Sequence, residues 1–225
     1  MLAAWYDRRM QMSAVAETET PRTRDADATR GRILAAAKKE FALYGLGGAR
    51  VDAIAERAKA NKRMIYHYFG GKEDLFRAVL EDAYLDIRTA ERKLGLESME
   101  PEDALDALVT FTWNYYLKNP EFLRLVNSEN LHKARHLKAL KPVRDSFPPY
   151  VDLVQSILDR GVAKGVFRPG VDAVQLNFTV AAINYYYLTN RYTGAVLYER
   201  DMMAKEALDE RLAFNLETVR RLVAA

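Results

Sequence analysis

Four residues within one short stretch carry side chains suited to reading a nucleic acid. With Lys62 set at zero and about 100° added per residue, Tyr66 falls at ~40°, Arg63 at ~100° and His67 at ~140° on a helical wheel. One face then presents an ammonium, a guanidinium fork, a phenol and an imidazole. Arg63 and Lys62 suit the acceptor pair of guanine, and Tyr66 and His67 add hydrogen-bonding ring edges. Met64, Ile65, Tyr68 and Phe69 fall on the other side, an apolar face able to pack on neighbouring helices. A short helix of this kind fits the major groove of double-stranded DNA, about 12 Å wide, where base edges are distinguishable. Lys72, beyond Gly70-Gly71, combines a cation with the start of the next helix, which attracts phosphate. Taken from eight residues alone, an ordinary solvated charged face is the favoured explanation of the pattern.

A second set suggests different chemistry. Glu129, His132 and His136 stand at i, i+3 and i+7, and on an unbroken helix they would share a face, as metal ligands do. Lys133, Arg135 and Lys138 surround them and repel a divalent cation, so neither a metal nor another cofactor is expected. The chain has no cysteine, which removes thiolate catalysis, disulfides and cysteine-ligated zinc or iron-sulfur sites. It also lacks a nucleophile elbow, a phosphate loop and a paired-histidine zinc motif. Gly45-Leu46-Gly47-Gly48 superficially looks like a nucleotide-binding loop, but Arg50 stands where a third glycine belongs and the flanks read as helices. The expectation is that the protein is not an enzyme. A helical protein-interaction module that binds no DNA remains the competing reading.

The elements that must position these residues follow from periodicity. Ile33, Ala37 and Phe41 recur at helical spacing, with Leu34 and Tyr44 beside them, and Gly45 supplies a stop. Val51, Ile54, Ala55 and Ala58 mark a short second helix. Asn61 can cap a third, and Leu75, Phe76, Val79, Leu80, Ala83 and Ile87 mark a long fourth from Lys72 to about Leu94. Two short helices joined by a tight turn are what a helix-turn-helix needs to hold its reading helix rigidly. Before them, Ser13 to Ala28 is rich in Thr, Asp, Glu and Arg without an apolar period, so residues 1–27 read as a mobile arm; a solvated tail is the favoured reading of its charges, although Arg22 and Arg24, with Arg30 just beyond, could touch phosphate.

The remainder is helical by the same test, punctuated by Pro101, Pro120, Pro142, Pro148-Pro149 and Pro169-Gly170. No strand alternation appears, so the class is all-α with about nine helices: a DNA-binding unit over residues 28–73 and a helical body over 74–225. Of 225 residues 49% are apolar and 29% charged, enough for a sizeable core. The net charge of +3 is too small to demonstrate a polyanionic partner. No apolar run approaches the ~20 residues of a membrane span, and Met1 to Met12 carries charges where a secretory leader is apolar. No membrane partner is expected, and a cytoplasmic location is.

The run from Arg32 to Leu80, with Val51-Asp52-Ala53-Ile54-Ala55, Ala58 and Asn61-Lys62-Arg63-Met64-Ile65-Tyr66-His67-Tyr68-Phe69-Gly70-Gly71-Lys72-Glu73-Asp74-Leu75, resembles the N-terminal domain of the tetracycline-repressor family. The resemblance implies DNA contact for Lys62, Arg63, Tyr66, His67, Tyr68 and Lys72, with Ile65 and Phe69 in the core. Where that family opens its second helix on Thr or Ser, this chain has Ala49-Arg50. The side-chain cap is missing, a loss of about 1 kcal/mol, and Arg50 is left to meet a phosphate.

Gly165-Val166-Phe167-Arg168-Pro169-Gly170-Val171-Asp172 looks like the family's link into its penultimate helix. By that resemblance the chain is a homodimer on a palindromic operator, released when a small-molecule effector enters the body. Val174, Phe178, Ala181, Tyr185 and Leu188 recur at helical spacing and could form the dimer seam. Trp113, Asn114, Tyr116, Phe122, Asn127 and Asn184 form a candidate pocket set, aromatic with a few polar tips.

Overall fold

The computed structural model describes residues 21–225, and over them the chain forms ten α-helices and no β-strand. The first helix, α1, spans Pro21–Gly48 and bends at Gly45 (φ 64°, ψ 178°). Residues 1–20 lie outside the described residues, and with them most of the expected arm. The helix already runs ahead of residue 28, where the sequence reading began it. Periodicity could not see this, since Arg22 to Asp27 offers no apolar stripe.

Helices α2 (Val51–Ala58) and α3 (Lys62–Phe69) follow. Lys59, left-handed at φ 50° and ψ 45°, closes α2 with its backbone N–H on the carbonyls of Ala55 and Glu56. Asn61 opens α3 by accepting a 2.9 Å bond from the Arg63 N–H. Gly70 ends it at φ 85°, a left-handed value that favours glycine. Helix α4 then runs over Lys72–Arg92.

Ile33, Phe41, Ile54, Ile65, Leu75 and Phe76 are fully buried together. The same apolar cluster continues into Trp113, Tyr116, Phe122 and Leu125, carried by α5 (Pro101–Lys118) and α6 (Pro120–Leu131). Helices α1 to α4 therefore share one core with α5 and α6. A second cluster joins Leu105, Leu108, Val154, Ile157, Leu176, Val180 and Val219. It draws on α7 (Lys141–Ala163), α8 (Ala173–Thr189) and α10 (Lys205–Val223), with the short α9 (Arg191–Leu197) between the last two.

Pro148-Pro149, expected as a break, lies inside α7. Each proline removes a donor to the carbonyl four residues back. Here those carbonyls belong to Arg144 and Asp145, which are exposed, so water can take the vacated places. Further along α7, Gly161 allows a close approach: a Cβ there would sit 1.9 Å from the Phe167 ring. Phe167 is 4% exposed and cannot swing aside without leaving its core. Gly161→Ala should therefore lower stability by about 1 to 3 kcal/mol, as overpacking does, read as a drop in urea midpoint with an unchanged slope.

Among the described residues no helix is long and apolar enough to cross a membrane.

Candidate nucleic-acid interface

Helix α3 is two-faced as its spacing predicts. Ile65 and Phe69 are buried, with Met64 and Tyr68 partly buried against the same core. Lys62, Arg63, Tyr66 and His67 are exposed, Tyr66 to 47%. Arg30, from α1, lies over the buried-side Phe69 with its guanidinium carbon 5.1 Å from the ring centre.

The candidates are held differently. Arg63 has its backbone fixed by the Asn61 cap, while its exposed guanidinium makes no ion pair among the described residues. His67 meets the Tyr68 ring edge-on at 5.2 Å, so Tyr68 is both packing residue and support. Lys72 Nζ donates to the Gly47 carbonyl at 3.3 Å, tying the start of α4 to the end of α1. Arg50 sits extended before α2 (φ −115°, ψ 125°) and makes no side-chain cap. Its N–H donates instead to buried Glu40 Oε1 at 3.3 Å; Arg57 lies 3.6 Å from the other Glu40 oxygen.

One partner is invisible to a reading of α3 alone. Asp52 Oδ1, on the exposed side of α2, lies 2.8 Å from Lys62 Nζ. Bond and charge from Lys62 lower the Asp52 carboxyl, and Asp52 in turn raises the Lys62 ammonium. The pair joins the two helices across the turn, and it puts a negative charge where phosphates would come. Asp52→Asn should strengthen binding to random duplex and steepen its dependence on log salt by up to about 0.9 for each Lys62 freed. An unchanged slope in a salt titration would show that Lys62 meets no phosphate.

The Glu129, His132 and His136 set does not share a helical face, because α6 ends at Leu131 and Lys133 and Ala134 turn left-handed. Glu129 and His136 form a buried pair, Oε2 to Nδ1 at 2.7 Å, and Glu129 Oε1 accepts the backbone N–H of His136 and Leu137. Arg135 Nε donates to His136 Nε2 at 3.1 Å. Both imidazole nitrogens and the carboxylate are thus committed to closing the loop, and Arg135 also reaches Glu73 of α4 at 3.0 Å.

The candidate pocket set is only partly assembled. Trp113, Tyr116 and Phe122 are buried, Tyr116 stacked on Phe122 at 5.9 Å. Asn114 and Asn127 are exposed and leave the set: each sits about 200° from its buried neighbours two residues away, across the helix from the core. Asn184 is fully buried, but its Oδ1 is taken by Asn215 Nδ2 at 2.7 Å, a clamp between α8 and α10.

The seam candidates also divide. Val174 and Phe178 are exposed, Phe178 to 67%, whereas Leu188 is 2% exposed in its own chain's core. Over fourteen residues the expected row turns by about 40° toward the core. Ala181 and Tyr185 are half-buried at its edge. The outward row is Val174, Phe178, Ala182 and Tyr186, with exposed Phe214 on α10.

The body also buries a charge pair that apolar patterning missed. Arg88 Nη1 lies 3.0 Å from Glu91 Oε2, and both side chains are nearly inaccessible. Burial is the main force pushing the Glu91 carboxyl from 4.5 up to about 7, against the pull of Arg88 and Arg92. The folded chain then keeps a proton that the unfolded chain has lost. The associated stability is fully present below pH 4.5 and is lost as pH rises through about 7, an effect of at most about 3 kcal/mol. Glu91→Gln should match the parent chain in acid and exceed it in urea resistance at about pH 8. The same offset at both ends of the range would contradict this.

A capped reading helix behind a tight turn, backed by a shared core and followed by a helical body, defines a helix-turn-helix DNA-binding protein. The chain belongs to the tetracycline-repressor family of transcriptional regulators. Residues 33–79 match the family described as bacterial regulatory proteins, tetR family. Residues 101–219 match the tetracyclin repressor-like C-terminal domain. The HTH-type transcriptional repressor NicS of Pseudomonas putida is 39% identical over 193 residues, 86% of this chain and 91% of that protein. The repressor SCO4008 of Streptomyces coelicolor is 34% identical, covering 71% and 78%. Among solved structures, the putative transcriptional regulator SCO4942 of Streptomyces coelicolor superposes with a TM-score of 0.66 at 26% identity, over 87% of this chain and 98% of that one.

Proposed function

We propose that the chain is a cytoplasmic, homodimeric repressor. The α3 helix of each protomer enters one of two successive major grooves of a palindromic operator, and a small molecule binding in the body opposes that engagement. Residues 28–73 act as the reading unit and 74–225 as the effector and dimerisation body. The observation that carries the reading is the exposed face of Lys62, Arg63, Tyr66 and His67 on a helix whose other face is locked in the core. Repression is favoured because NicS and SCO4008 are named repressors.

Two reading helices must stand about 34 to 36 Å apart, or a multiple, to meet successive grooves. The outward apolar row of α8, with Phe214 of α10, supplies a surface for that pairing. Effector and operator then oppose each other by linkage: the factor by which bound effector weakens the operator complex is the factor by which bound operator weakens the effector complex.

The test is fluorescence anisotropy on palindromic duplexes from the chain's own upstream region, across a salt series. Specific sites should bind far more tightly than random duplex, and affinity should fall linearly on logarithmic axes by about 0.9 per phosphate contact. Indifference to both salt and sequence, or a single-chain mass by sedimentation at micromolar concentration, would remove the reading.

A further inference from the structure

Arg88 is enclosed by the body and only partly satisfied by it: the Tyr150 hydroxyl shares a hydrogen bond with it, while two of its nitrogens lack an acceptor. Its side chain is 10% exposed, its guanidinium carbon lies 4.0 Å from the centre of the Tyr150 ring and 5.2 Å from that of Phe147. Glu91 is at ion-pair distance, yet neither Nε nor Nη1 of Arg88 has a hydrogen-bond acceptor. Buried N–H groups are almost always paired, and a cation with open donors is costly to enclose. Open donors on an enclosed cation are the groups an incoming acceptor would meet first.

The walls around that cation say what kind of acceptor. Tyr84 comes from α4, Tyr116 from α5, and Phe147 and Tyr150 from α7. Tyr84 lies 6.3 Å from Phe147, ring centre to ring centre. Burial pushes the Tyr84 and Tyr116 hydroxyls up to about 12, so they stay protonated, as donors. Flat aromatic walls take a flat ring by offset or edge contact. A guanidinium fork matches a planar carboxylate with two parallel bonds, which an ammonium does not.

We propose that Arg88 is the recognition group for a small aromatic carboxylate, bound among α4, α5 and α7, whose anionic end replaces Glu91 as the partner of the guanidinium. This rests on the reading of the body as an effector domain and names the chemistry of its ligand. Glu91 must surrender its negative charge when the ligand arrives, since two carboxylates on one buried guanidinium repel each other. The charged and titratable groups facing Glu91 are Arg88 and Arg92 on its own helix, Tyr116 from α5 and Tyr150 from α7. Burial already holds its carboxyl near neutrality, so binding of the anion takes up a proton there.

Titration calorimetry of the full chain with benzoate, 1-naphthoate and their neutral amides, benzamide and 1-naphthamide, tests this. At least one carboxylate should bind tenfold or more tightly than its amide, in line with a charge-assisted bidentate pair. Its affinity should fall about tenfold between about pH 6 and about pH 8, as required when one group of pKa near 7 must be protonated. Arg88→Gln should erase the preference for carboxylate over amide. Arg88→Lys, which keeps the charge and so guards against a folding defect, should lose most of it. Glu91→Gln should bind independently of pH. Equal binding of acid and amide, a preference that survives Arg88→Gln in a chain with parental helicity, or no carboxylate binding at millimolar concentration would each overturn the proposal. Operator anisotropy separates it from the reading beneath it. Amides that bind and release DNA would sink the Arg88 assignment alone, whereas carboxylates that bind through Arg88 and leave DNA affinity untouched would sink the effector reading alone.

Discussion

Arg63→Ala should cost the operator complex about 2 to 6 kcal/mol while barely changing affinity for random duplex. A good bidentate contact to a base discriminates by about 1 to 3 kcal/mol. A twofold dimer on a palindrome carries the substitution twice, and two sites a helical turn apart add nearly independently. Arg63 is the candidate to show this because its backbone is pinned by the Asn61 cap while, among the described residues, no carboxylate pairs with its guanidinium. Lys62 is already engaged by Asp52 at 2.8 Å, and Lys72 by the Gly47 carbonyl, so their removal should act more weakly and more evenly across sequences. The measurement is anisotropy on cognate and scrambled duplexes at one salt concentration. An Arg63→Ala loss of the same size on both would move Arg63 from base reading to phosphate contact.

That contrast between Arg63 and Lys62 marks the limit of what a sequence shows. The period of 3.6 is a local property, so it separates Arg63, Tyr66 and His67 from Ile65 and Phe69 without any knowledge of the fold. The Asn61 cap is local too, lying two residues from the N–H it accepts. Asp52 pairs with Lys62 across a turn, and nothing in either helix taken singly reveals it. Long-range placement decides the body as well: Asn114 and Asn127 have the right chemistry for a pocket and the wrong side of their helices. On α4 the buried stripe continues past Ile87 into Arg88 and Glu91, where a pattern built on apolar residues reads the stripe as finished. Pro148-Pro149 misleads for the opposite reason: the pair stays inside α7, and the residues whose carbonyls it frees, Arg144 and Asp145, are exposed to water.

The shared core gives the last expectation its size. Phe41 is fully buried on α1, and its ring meets Phe76 of α4 edge-on at 5.1 Å. Phe41→Ala should cost about 3 to 5 kcal/mol, the transfer of the ring plus the cavity it leaves. A chain of this kind has roughly 5 to 15 kcal/mol in all, so a third or more of its stability could go. Guanidinium denaturation at fixed protein concentration reads the loss, with far-UV circular dichroism for all helices and, in a Trp5→Phe background that leaves Trp113 of α5 as the one tryptophan, fluorescence for the body. The apolar cluster runs without interruption from Phe41 through Phe76 to Trp113. The fluorescence midpoint should therefore fall together with the helical one, although the substitution lies in the reading unit and the tryptophan in the body. A helical signal that loses an early step while fluorescence holds its midpoint would mean that the boundary near residue 73 is also a thermodynamic one. In that case an effector in the body could act on the DNA only through rigid displacement of α4, not through a core the two units hold in common.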